Sequence, residues 1–104
     1  MLNCHNTITV ISQNTDALEH FIDNRILEYF QIQISYRSAT KIIANYQSSW
    51  TPPINWLCDI LNEYPSCWIK NSWHADDGTA GIWIGCIINN EPLIQQMNWQ
   101  MPQE

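Results

Sequence analysis

At 104 residues the chain has room for one hydrophobic core, and no repeat, linker or charge block divides it. Its net charge of −6 sets ten acids against only Arg25, Arg37, Lys41 and Lys70. Four scattered cations cannot neutralise a row of phosphates, so direct nucleic-acid binding and docking on an anionic membrane are disfavoured, while a protein with a basic surface is a welcome partner.

Charged residues make up 13% of the chain, about half the usual ~25%, and Asn and Gln supply the missing polarity. They alternate with Ile, Trp and Tyr instead of forming tracts, which reads as a folded domain. No apolar run approaches the ~20 residues of a membrane helix, and the first residues carry no signal-peptide pattern. Cys4, Cys58, Cys67 and Cys86 contain no CxxC pair, so reduced thiols in a cytoplasm are expected.

In chain order, residues 6–11 (NTITVI) alternate and are β-branched, which predicts a strand. Asn14, Thr15 and Asp16 offer N-cap chemistry, and Leu18, Phe21, Ile22 and Ile26 recur at helical spacing, predicting a helix from about Thr15 into the late twenties. Residues 29–36 (YFQIQISY) have period two and predict a half-buried strand, with another over 41–47 after a short turn. Thr51-Pro52-Pro53 predicts a helix start with Thr51 as the cap and the prolines in the first turn. Ile54, Leu57, Leu61 and Tyr64 form that helix's apolar stripe, and Pro65 stops it. Strands are predicted over 66–74 and 80–88, joined by an Asp-Asp-Gly hairpin turn, and a last one over 93–99 follows the turn at 89–92. The order β-α-β-β-α-β with an extra carboxy-terminal strand predicts an α+β fold of the ferredoxin-like, split βαβ plan, an antiparallel sheet with both helices on one face.

The segment NCHNTITVI before a helix, then SSWTPPINWL before a helix ending in EYP, then DDGTAGIW, resembles the Api92-like proteins. These are small proteins of phages, plasmids and other mobile elements with a YubB-type ferredoxin-like domain. The resemblance runs from about Asn3 to Trp99, and its most specific piece is Ser49-Trp50-Thr51-Pro52-Pro53. The chain departs from the pattern at Asn3, where relatives carry Trp before the cysteine, and its glycine turn keeps only Gly78 and Gly81. The family has no established catalytic residues. The resemblance therefore implies the fold and a mobile-element origin, and it assigns no active site.

Chemistry-bearing motifs are few. His74, Asp76 and Asp77 lack the ligand spacing of a zinc site or a calcium loop, and Asp-Asp-Gly is ordinary turn chemistry. Cys58 and Cys67 read as small buried hydrophobes, with no base to activate a thiolate. His5, His20 and His74 stand in no recognisable catalytic motif, so the expectation is a non-enzymatic protein without metal or cofactor.

Two surfaces remain as candidates. Asp16, Glu19, Asp23, Asp59 and Glu63 should project from the helix layer, half of all the acids with only Arg25 beside them. Such a surface could imitate nucleic-acid phosphates and block a basic host protein, as an anti-CRISPR-like inhibitor would. On the open sheet face, alternation expected to turn Cys67, Ile69, Ile82, Ile84 and Cys86 inward leaves Trp68, Lys70, Trp83 and Ile87 outside, where they would serve a homodimer or a small ligand. Trp50 with Thr51, Pro52 and Pro53 is expected to form a structural corner, the indole stapled onto the helix start.

Overall fold

A computed structural model describes residues 3–26 and 31–102. Its elements are β1 (Asn3–Ser12), α1 (Thr15–Asn24), β2 (Gln33–Arg37), β3 (Lys41–Ser49), α2 (Ile54–Glu63), β4 (Cys67–Ala75), β5 (Thr79–Ile88) and β6 (Glu91–Gln100). The six strands form one sheet in the order β2-β3-β1-β4-β5-β6, with every neighbouring pair antiparallel. The α+β class and the antiparallel sheet agree with the sequence expectation. The expected extension of α1 and the beginning of the strand over 29–36 fall on residues 27–30, outside the described residues.

Local chemistry sets the turns. The Asn14 side chain accepts the Ala17 N–H at 3.1 Å and caps α1, as its position suggested. In α2 the cap falls differently. Pro53 occupies the N-cap position without a side-chain hydrogen bond, while Thr51 accepts the Ser48 hydroxyl through its carbonyl at 2.7 Å and donates its N–H to the Ser49 carbonyl at 2.8 Å. Trp50 also departs from expectation: it takes φ 69° and is 59% exposed, so it is no staple on the helix. The β5–β6 turn is the two residues Asn89 and Asn90, at φ 54° and 64°, the type I′ geometry that matches strand twist. Pro92 therefore lies within β6, where an edge strand tolerates it.

One core lies between the helices and one face of the sheet. Leu18, Phe21, Ile22 and Ile26 meet Leu57, Ile60 and Leu61 over Ile8, Val10, Ile42, Ala44, Ile69 and Trp83. The registers put those strand residues on a single face, so both helices pack on the same side. Tyr64, at the C-cap of α2, ties the helices together: its hydroxyl meets His20 Nδ1 at 2.7 Å and its ring meets Phe21 edge-on at 5.7 Å.

The phase of β5 is opposite to the one expected. Trp83 is fully buried under α2 and Ile87 packs partly against the core, while Ile82, Ile84 and Cys86 lie on the open face. Glycine makes room for this. A Cβ on Gly85 would stand 2.5 Å from Trp83 Cη2, and one on Gly81 would stand 2.6 Å from Trp73 Cζ2 and 2.7 Å from the Met97 carbonyl oxygen. Each indole lies over a glycine on its own or the neighbouring strand. Because Met97 presents backbone at that point, Gly81→Ala should destabilise the fold by about 1–3 kcal/mol, read as a lower denaturant midpoint at unchanged slope.

Candidate functional site

The face of the sheet away from the helices carries no described element over it. The register arranges its side chains in rows. One row runs Tyr36, Ile43, Thr9, Lys70, Ile84, Gln95, and the next runs Asn45, Thr7, Ser72, Ile82, Met97. Apart from Ile11 and Ile43, polar residues occupy its β1 and β3 part, whereas β4, β5 and β6 contribute Trp68, Ile82, Ile84, Cys86, Leu93 and Met97. Leu93 is 51% exposed, Met97 64% and Trp99 44%. Of the four residues expected on this face, Trp68 and Lys70 are there, half-buried; Trp83 and Ile87 point the other way.

Strand β6 is uncovered on both faces. All ten of its residues are exposed, because α2 packs over β4 and β5 and stops short of it. Beside it, between the start of α2 and β6, runs a groove of about 560 Å³ lined by Pro52, Pro53, Trp56, Trp73, Gln96 and Asn98. The Thr51-Pro52-Pro53 corner is thus one wall of a groove, with Trp50 out in solvent.

The helix layer holds the acids where the sequence placed them. Asp16, Glu19, Asp23, Asp59 and Glu63 are all exposed, and Arg25 reaches Glu63 at 3.4 Å. Lys41 and Lys70 lie on the opposite face of the sheet, with the Lys41 ammonium 5.7 Å from the centre of the Tyr36 ring. Five of the ten acids thus stand on the helix layer and both lysines on the strands, while Asp76, Asp77 and Glu91 lie at the β4–β5 turn and in β6.

Among the described residues the histidines stand in two places, His20 on α1 and His5 paired with His74 across β1 and β4. His20 is held by Tyr64, whose own hydroxyl is pushed up to about 12 by burial and then by the Glu63 carboxylate. Burial also raises the Cys4, Cys58 and Cys67 thiols, the opposite of what a thiolate nucleophile needs. His5 stacks on His74 with ring centroids 4.9 Å apart and meets Asp76 at 3.1 Å. Among the described residues no three His, Cys, Asp or Glu side chains gather as metal ligands. Asp77 serves the turn, accepting the Thr79 N–H at 2.9 Å and its hydroxyl at 2.6 Å.

Asp76 ties the β4–β5 turn to the start of β1. The Asn3 N–H donates to it at 3.0 Å, and this bond, with His5 next, holds its carboxyl below the usual aspartate value. A carboxyl lowered in the folded state stabilises above its unfolded pKa, and that help is lost as pH falls through the folded one. Asp76→Asn should therefore lower the denaturant midpoint slightly at neutral pH. The gap to wild type should close as the pH drops below the ordinary aspartate range, and a gap that stays constant contradicts the tie.

Sequence reasoning missed the buried amides. Asn71 is fully buried, accepts the Tyr46 hydroxyl at 2.6 Å and donates to Asn6 Oδ1 at 2.9 Å. Asn6 in turn donates to the Cys4 carbonyl at 3.2 Å and to the Ser48 hydroxyl at 2.9 Å. This network fixes the junction of β1, β3 and β4.

No described helix is long and apolar enough to cross a membrane. No family model, curated protein or solved structure matches the chain.

Proposed function

We propose that the chain is a non-enzymatic protein-binding domain that meets its partner through the uncovered sheet face of β4, β5 and β6. One observation carries this: Trp68, Ile82, Ile84, Leu93 and Met97 share a face on which no described element packs. Contiguous apolar surface of this kind marks a contact surface more often than it is left in water. The order β2-β3-β1-β4, with α1 joining β1 to β2 and α2 joining β3 to β4, supports a ferredoxin-like, split βαβ plan extended by the β5–β6 pair.

A second reading has its own support. The five exposed carboxylates of α1 and α2, with Arg25 drawn to Glu63, suit a basic groove on a host nucleic-acid-binding protein. Together with the resemblance to mobile-element proteins, that makes a phage-borne, anti-CRISPR-like inhibitor the runner-up.

Three versions of the protein separate the readings: wild type, Trp68→Glu with Ile84→Glu, and a chain with Asp16, Glu19, Asp23, Asp59 and Glu63 changed to their amides. Proteins retained from a cell lysate are identified for each, with folding checked by circular dichroism. The sheet-face reading expects the specific set to be lost only from the second version. Loss only from the third, with salt-sensitive binding, overturns it in favour of the acidic layer.

A further inference from the structure

We infer that the outer edge of β6 pairs with β6 of a second copy of this chain, joining two sheets into one twelve-stranded sheet across a two-fold axis. This rests on the reading that the β4–β6 end of the sheet is its contact region, and it places a second copy at the edge of that region, leaving the open face free for another contact.

The hydrogen-bond pattern fixes which groups are free to pair. The Met101 N–H donates to the Gly78 carbonyl at 2.8 Å, which frames Thr79 and Gln100 as a pair whose own N–H and C=O groups turn away from each other. Counting back in twos, Ile94, Gln96, Asn98 and Gln100 aim their backbone groups outward. Pro92 falls in the same set, where its missing N–H costs β5 nothing.

The two edges of the sheet are built differently. Edge strand β2 has five residues, a register shift between Ile34 and Tyr36, and Arg37 at its end, all devices that discourage pairing. Edge strand β6 has ten residues in unbroken register with β5, no Lys or Arg, and a single charge, Glu91, at its start, where Pro92 also confines its missing outward N–H to one end of the strand. A pairing centred on Gln96 sets Ile94 opposite Asn98 of the second copy and places the two Glu91 side chains at opposite ends. Their repulsion is then screened, since roughly 30 Å of strand separates them. The acids of the helix layer take no part in it.

The area is adequate. Ile88, Leu93, Ile94, Met97, Trp99 and Met101 are each between 42% and 64% exposed. They supply on the order of several hundred Å² of apolar surface along this edge, comparable with the ~800 Å² that each partner gives to a standard interface. An edge that faces itself satisfies one row of donors and acceptors with an identical row, whereas a foreign strand would need a matching one.

Sedimentation velocity over a micromolar concentration series tests the pairing. The wild type should approach twice its 12.2 kDa. Gln96→Pro, which removes an outward N–H, should weaken the dimer at least tenfold with the circular dichroism spectrum retained. The pair Gln96→Lys with Asn98→Lys provides the same outcome should the proline variant fail to fold. A monomer at every concentration overturns the inference, and so does a dimer that survives both edge variants. Should that surviving dimer dissolve with Trp68→Glu and Ile84→Glu, the face reading stands and the edge pairing alone fails.

Discussion

Trp83→Ala should lower the free energy of unfolding by about 3–5 kcal/mol, the range for emptying a fully buried aromatic site. Its indole is 0% exposed and fills the space between Leu61 of α2 and Gly85 beneath it. Rigid strand backbone lies below and α2 above, so the site has little means of collapsing. Denaturant unfolding followed by circular dichroism gives the value from the shift in midpoint. Trp83→Phe should cost clearly less, because the Trp83 indole N–H is buried without a hydrogen-bond partner and phenylalanine removes that orphan donor. Equal losses for the two variants would place the energy of this site somewhere other than in its filled volume.

Asn71→Ala is the second large effect. The Tyr46 hydroxyl would lose its acceptor at 2.6 Å and Asn6 Oδ1 its donor at 2.9 Å, both inside the core. A buried polar group stripped of its partner costs about 1–3 kcal/mol, so a total of about 2–5 kcal/mol is expected. Asn71→Asp offers the control: it keeps the acceptor for Tyr46 but points a buried charge at Asn6, and it should be no milder at neutral pH. A loss below ~1 kcal/mol for Asn71→Ala would mean that the amide chain is decorative.

The two helices and the succession of elements along the chain were largely legible in the sequence, because amphipathic spacing such as that of Leu18, Phe21 and Ile22 has one physical solution. The phase of β5 was not. In AGIWIGCII both faces are apolar, so alternation cannot choose between Ile82, Ile84 and Cys86 on one side and Trp83 and Ile87 on the other. A usable signal was present, since Gly81 and Gly85 flank Trp83 two residues away on the same face and leave a slot for an indole. The corner at Thr51-Pro52-Pro53 misled for a different reason. Two prolines suit a helix start, but Trp50 takes a left-handed turn that residue type does not announce. The Asn6–Asn71 pair was invisible because an amide reads as surface until a register places two of them together in the core.

The acidic layer was legible in position, and its five carboxylates are exposed as expected. The apolar patch was legible only in part: Trp68 was expected there, while Ile82, Ile84, Leu93 and Met97 emerge from the corrected phase of β5 and the exposure of β6. That correction moves the weight of the functional reading from the helices to the strands.

Amide hydrogen exchange, read peptide by peptide at low and high protein concentration, tests that shift most directly. Exchange in Glu91–Gln100 should slow as concentration rises, while Thr15–Asn24 and Ile54–Glu63 stay unchanged. Protection that grows in the two helices, with β6 exchanging equally fast throughout, would contradict the account.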